Sequence, residues 1–130
     1  MTRGVLFVSP HPEDAEVLSR MLNPLNMVVE HAENLGEARS SLQRKRFGVV
    51  LTEATLPDGC WMDVLDLTRQ LEAPSELIVT HPFADSRFWA EALSLGAYDL
   101  VVQPFSEPEV RRIFSNACSR PQEKMAWATG

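Results

Sequence analysis

Apolar positions along the chain follow two rhythms. Short near-continuous apolar runs alternate with stretches in which apolar residues recur every three or four positions. The runs predict buried strands and the spaced stretches predict amphipathic helices. Residues 5–8 (VLFV) form the first strand. Pro12 opens the first helix, because its missing N–H falls where a helix has no acceptor for it. Ala15, Leu18, Met21 and Leu22 make that helix's inner stripe. Residues 27–31 are the second strand. Asn34, with Glu37 three residues on, reads as a capping box. The second helix follows over 35–44, with Leu35, Ala38 and Leu42 inward. Residues 47–53 are the third strand, and their unbroken apolar character predicts burial on both faces.

The second half repeats the pattern. Leu56-Pro57-Asp58-Gly59 reads as a turn. The third helix covers 61–71, with Val64, Leu65, Thr68 and Leu71 inward, and 76–80 is the fourth strand. Asp85-Ser86 opens a fourth helix that stops before Gly96, a typical C-terminal glycine. Residues 98–102 are the fifth strand. Ser106 and Glu109 form a second capping-box pattern. The last helix runs to about residue 119, with Val110, Ile113, Phe114 and Ala117 inward. From Pro121 the pattern predicts a tail or linker stub, which leaves residues 1–120 as one domain and 121–130 outside it.

Strict alternation of strand and helix implies α/β architecture: a parallel sheet with helices on both faces. The carboxyl ends of the strands then share one edge, where open sheets of this kind keep their sites. That edge gathers Ser9, Pro10 and His11 from the first strand, Glu53 from the third, Thr80 and His81 from the fourth and Gln103 from the fifth. No glycine-rich loop follows the first strand, which argues against a dinucleotide site.

Composition narrows the picture. The chain has 130 residues, 45% hydrophobic and 23% charged, with a net charge of -6. This suits one globular domain and argues against a nucleic-acid partner, since backbone binding needs clustered Lys and Arg. The basic residues from Arg111 to Lys124 read as a solvated helix face. Cys60 and Cys118 form no paired motif, so they read as two reduced thiols. The N-terminus lacks the features of a signal peptide and no run approaches membrane-spanning length. A cytoplasmic location without membrane contact is the expectation.

The stretches VLFVSPHPED, VVLTEATLPDG, LIVTHP and LGAYDLVVQPF resemble the receiver domain of bacterial response regulators, the phosphoacceptor module of two-component phosphorelay signalling. The resemblance covers about residues 4–119. It implies a (βα)5 flavodoxin-like, doubly wound parallel sheet in strand order 2-1-3-4-5. It also implies five chemical parts. These are an acidic pair for Mg²⁺, an acceptor Asp, a switch Thr or Ser, a Lys followed by a cis-proline, and an aromatic that changes rotamer.

This sequence departs at most of them. The acidic pair falls on Ser9 and Pro10, the acceptor on Glu53, the lysine on Gln103 and the aromatic on Leu100. Trp61 stands where a glycine is usual. Thr80 and Pro104 match, so Gln103-Pro104 is expected to be cis. A hydroxyl and a proline are poor ligands for Mg²⁺. Glu53 is longer than Asp by about 1.5 Å, enough to displace a nucleophile from in-line geometry. Phosphoryl transfer depends on positioning and charge neutralisation.

The expectation is a degenerate receiver: not an enzyme, without Mg²⁺ or another cofactor, and not phosphorylated in the usual way. It would work through a protein partner, whether histidine kinase, output domain or other signalling protein. A homodimer through the fourth helix, fifth strand and fifth helix is also implied; of Phe88 and Trp89, either one ring is exposed there or both wedge partly into the core. A further reading has Glu53 mimic the phosphorylated Asp, accepting from Thr80 and Gln103. The alternatives are a working but atypical phosphoacceptor using Glu53 or a nearby His, and a metal or ligand sensor built on His11, His81 and Glu53.

Overall fold

Val5, Leu6, Phe7 and Val8 are all fully buried, because β1 (Arg3–Val8) is an interior strand of a five-stranded sheet. The computed structural model describes residues 3–71, 75–83 and 85–129, with side chains described to residue 118. The chain continues through α1 (Pro12–Leu22), a 3₁₀ turn (Asn23–Leu25), β2 (Met27–Ala32), α2 (Leu35–Arg44) and β3 (Val49–Glu53). After β4 (Thr55–Leu56) and β5 (Gly59–Cys60) come α3 (Trp61–Arg69), β6 (Glu76–His81), α4 (Ser86–Leu95), β7 (Asp99–Val102) and α5 (Glu107–Thr129).

The main sheet has the order β2-β1-β3-β6-β7, with all neighbours parallel. This is the expected 2-1-3-4-5 order once β4 and β5 are set aside. Successive strand residues face opposite sides of the sheet, which divides the core in two. Leu6, Val8, Val50, Val79 and Leu100 pack with Leu42, Trp61 and Val64 on one side. Val5, Phe7, Leu51, Ile78 and Val101 pack with Leu18, Leu22, Val110 and Phe114 on the other. Every residue of β3 is buried, as a central parallel strand requires.

Local signals set the helix starts. Asn34 accepts from the Glu37 N–H at 2.8 Å, while Glu37 reaches back to the Glu33 N–H at 3.0 Å. Asp85 accepts from the Phe88 N–H at 2.9 Å. Gly96 ends α4 at φ +124°, a conformation that favours glycine.

Two elements differ from the sequence pattern. The turn expected at 56–59 is present, with Pro57 and Asp58 at its tip, but it closes a small hairpin that the pattern does not show: β4 and β5 pair antiparallel, Thr55 with Cys60 and Leu56 with Gly59. Two-residue strands are too short to show a period. The last helix also continues to Thr129 instead of ending near 119. Pro121 removes only one backbone donor, and the residues after it include good helix formers such as Gln122, Glu123, Lys124, Met125 and Ala126.

Candidate functional site

β1 and β3 lie side by side and deliver Ser9 and Glu53 to the same point. Glu53 closes β3 with its side chain only 12% exposed. The fully buried Ser9 hydroxyl donates to Glu53 Oε2 in a close contact. The same Ser9 Oγ accepts the His11 N–H at 3.0 Å, which folds the Ser9-Pro10-His11 loop over the carboxylate. The His11 ring stands above it, with Nε2 4.0 Å from Glu53 Oε2. Two further bonds hold the Ser9 backbone: its N–H donates to the Ala32 carbonyl at 2.9 Å, and His31 Nε2 donates to its carbonyl at 2.6 Å. Ser9 is therefore tied to β2 and to the end of β3 at once.

Thr80 pairs with Glu53 in the β3–β6 register, yet the carboxylate turns away from it. Thr80 is fully buried, and its Oγ1 has no hydrogen-bond partner; buried Gln103 Nε2 has none either. The expectation that Glu53 accepts from Thr80 and Gln103 is corrected by this geometry. The reason is competition: Ser9, on the neighbouring strand, offers a donor on the other side of Glu53. Leu100 lies in the core beneath the site, and the Gln103–Pro104 peptide bond is cis.

His81 does not join His11 and Glu53. Its Nδ1 accepts the Phe83 N–H at 2.9 Å, and its ring packs on Phe88 with centroids 5.1 Å apart. Among the described residues, no group of three or more His, Cys, Asp and Glu is placed to hold a metal ion. Phe88 and Trp89 both pack partly buried against the core, the second of the two arrangements expected for them, so the exposed aromatic lies elsewhere. Phe83 takes that place. A residue in the β6–α4 connection has no helical period to satisfy, so nothing draws its ring inward.

Asp58 is a site-edge residue that the pattern does not reveal. From the β4–β5 turn its carboxylate accepts the Leu35 N–H at 2.7 Å and the Gly36 N–H at 3.1 Å. It thereby caps α2 from outside that helix. The Leu35 bond, with Gly36 in support, holds its carboxyl below the ordinary aspartate range. A lone Asp in a Pro-Asp-Gly turn reads as turn chemistry, and only the fold brings it to α2. His31 was likewise read as a strand residue, with nothing in the sequence to indicate its bond to Ser9.

The family model for the response regulator receiver domain matches residues 5–115. The chain belongs to the response regulator receiver family. The receiver is 29% identical to the response regulator protein PilR of Pseudomonas aeruginosa over 114 residues, 86% of this chain and 25% of PilR. It is 29% identical to the transcriptional regulatory protein DpiA of Escherichia coli over 75 residues, 58% of this chain and 33% of DpiA. The chain thus spans a quarter to a third of the curated relatives it matches. Among solved structures, it resembles the signal receiver domain of a protein assigned as a LuxO repressor from Vibrio parahaemolyticus. That match has a TM-score of 0.88 at 18% identity and covers 97% of each chain. The beryllofluoride-activated NtrC4 receiver domain dimer matches with a TM-score of 0.83 at 23% identity, over 91% of this chain and 98% of that one. These likenesses confirm the fold.

The receiver's site residues do not fit the magnesium ion that the family implies. Mg²⁺ requires a near-octahedral oxygen set with carboxylates. At the positions of the acidic pair this receiver has Ser9 and Pro10. Its remaining carboxylate, Glu53, is already engaged by the Ser9 hydroxyl.

Proposed function

We propose that this receiver acts as a signalling module through protein–protein contact, without aspartyl phosphorylation, magnesium or enzymatic turnover. One observation carries the reading: the Glu53 carboxylate, at the acceptor position, is capped by the Ser9 hydroxyl and covered by the His11 loop. An incoming phosphoryl group would have to displace that donor. It would also arrive where neither a metal nor a lysine offsets its charge. The partner would be a histidine kinase, an output domain or another signalling protein of the cytoplasm. None of the described helices is long and apolar enough to cross a membrane.

The test is incubation with acetyl phosphate and Mg²⁺, followed by intact mass measurement. The expected result is an unchanged mass. A phosphoryl adduct on Glu53, or on His11 or His81, would establish the atypical phosphoacceptor instead. NtrC4 is described as a receiver domain dimer. Exposed Leu93 and Leu95 on α4 and Val102 on β7 support the same self-association for this chain. Sedimentation of the wild type against Val102→Glu tests it.

A second reading has one observation in its favour. The unpaired Thr80 Oγ1 and Gln103 Nε2 are the donors that a carboxylate mimicking phospho-aspartate would engage. In that reading Glu53 leaves Ser9 when a partner binds. Glu53→Gln then changes partner affinity, and unchanged affinity removes the reading.

A further inference from the structure

A series of rings in edge-on and tilted contact leads outward from the site to an exposed end. Trp61 is buried, and its backbone N–H donates to the Ala54 carbonyl, one residue past Glu53, at 3.0 Å. Its ring meets Phe88 edge-on at 6.5 Å, and Phe88 meets His81 at 5.1 Å. His81 meets Phe83 at 6.3 Å and an interplanar angle of 72°. Phe83 itself is 86% exposed. Its own N–H is bonded to His81 Nδ1, so the residue is tied to that imidazole through both backbone and ring. Next to Trp61, Met62 is 44% exposed. A large apolar ring left in water on a rigid support has the character of an interface anchor.

The charge around this end of the sheet is one-sided. Acids occupy the first turns of the helices: Glu13 and Asp14 on α1, Glu37 on α2, Asp63 on α3, Glu107 and Glu109 on α5. The basic last-turn residues Arg20, Arg44 and Arg69 lie at the opposite ends of their helices. Among the described residues, Arg87 is the single Lys or Arg in a helix first turn. The helix dipoles account for part of this segregation. They do not account for the ring that accompanies it.

We propose that this end of the receiver docks a basic segment of a partner protein, with an arginine- or lysine-bearing stretch laid across Phe83. Such a segment gains cation–π contact with the exposed ring and long-range attraction from the surrounding carboxylates. The proposal rests on the contact-module reading and adds the chemistry of the partner. The mass measurement tests that reading separately.

The experiment titrates the isotope-labelled 130-residue chain with a short synthetic peptide of alternating arginine and leucine. A glutamate–leucine peptide serves as the control. Amide shifts at His81, Phe83 and Met62 and at the Trp61 indole are expected, weakening with added salt. Phe83→Ser should lower affinity about tenfold with an unchanged melting temperature. Val28→Ser, exposed on the edge strand β2, should leave affinity unchanged. Arg87→Glu should tighten binding several-fold and provides a second readout. Shifts centred elsewhere, equal binding of the acidic peptide, or full affinity in Phe83→Ser would overturn the proposal. So would self-association of the wild type that Phe83→Ser abolishes, which would assign the face to a second copy of the chain.

Discussion

Replacing Thr80 by valine should stabilise the domain. Thr80 is fully buried and its hydroxyl has no partner, because Glu53 is held by Ser9. Valine has nearly the same shape and lacks the unpaired donor. An unsatisfied buried hydroxyl costs about 1–3 kcal/mol in mutational series. Removing it should therefore raise stability by about 1–2 kcal/mol. For a chain of 130 residues each kcal/mol moves the midpoint by roughly 3–5 °C, so the melting temperature should rise by roughly 3–10 °C. Thermal and urea denaturation followed by circular dichroism measure this directly. If Thr80→Val instead destabilises by 1 kcal/mol or more, the Thr80 hydroxyl has a partner and the assigned direction of Glu53 is wrong.

The mirror substitution completes the argument. Ser9→Ala removes the donor from a nearly buried carboxylate, and it also removes the acceptor of the His11 N–H. Hydrogen bonds to charged groups contribute about 1.5–3 kcal/mol, so a loss of that size is expected. In a Glu53→Gln background the charge is gone, and the cost of Ser9→Ala should shrink. That difference is the coupling between the two side chains, and strict additivity would contradict the bond.

Other substitutions probe the frame around the site. Asp58→Asn should lower the melting temperature near neutral pH by weakening the cap on α2. The folded-state pKa of Asp58 is depressed, so its contribution is present above 3.8, the ordinary aspartate value, and is lost as pH falls through the folded value. The variant and wild-type melting curves should therefore converge in acid. Gly96→Ala should cost about 1–3 kcal/mol, because φ is +124° and the new methyl would meet the Arg69 guanidinium that donates to the Leu95 carbonyl. Burial raises the Cys118 thiol above its ordinary range, so its alkylation at neutral pH should be slower in the folded chain than in urea, read by mass.

The periodic elements were legible because burial imposes their pattern. Residues 5–8 are apolar since β1 is covered on both faces, and α2 begins at Asn34 since its side chain caps the helix. The identities at the strand ends were legible too, because each sits at a fixed offset from an apolar run. Orientation was not. Sequence register places Glu53 opposite Thr80, but the choice of Ser9 as partner depends on where a neighbouring strand, 44 residues away in sequence, offers its hydroxyl. Asp58 on α2 and Arg69 on the end of α4 have the same character. Each joins a side chain to a backbone group more than 20 residues distant, and no local period encodes such a meeting.

The departures at the site make electrostatic sense as a set. Carboxylates crowded at adjacent strand ends repel one another, and a bound cation ordinarily offsets that repulsion. Ser9 and Pro10 remove two such charges and leave Glu53, for which one neighbouring hydroxyl suffices. A lysine kept at position 103 would then face a site with a single carboxylate already bonded elsewhere, and an unpaired ammonium beside fully buried Thr80 is more costly than an unpaired amide. Gln103 avoids that charge at the expense of one orphaned donor. Loss of the acidic pair and loss of the lysine therefore compensate each other. The strand end keeps one carboxylate, bonded internally by the Ser9 hydroxyl, while the side chains that face outward, Phe83 above all, remain free for contact.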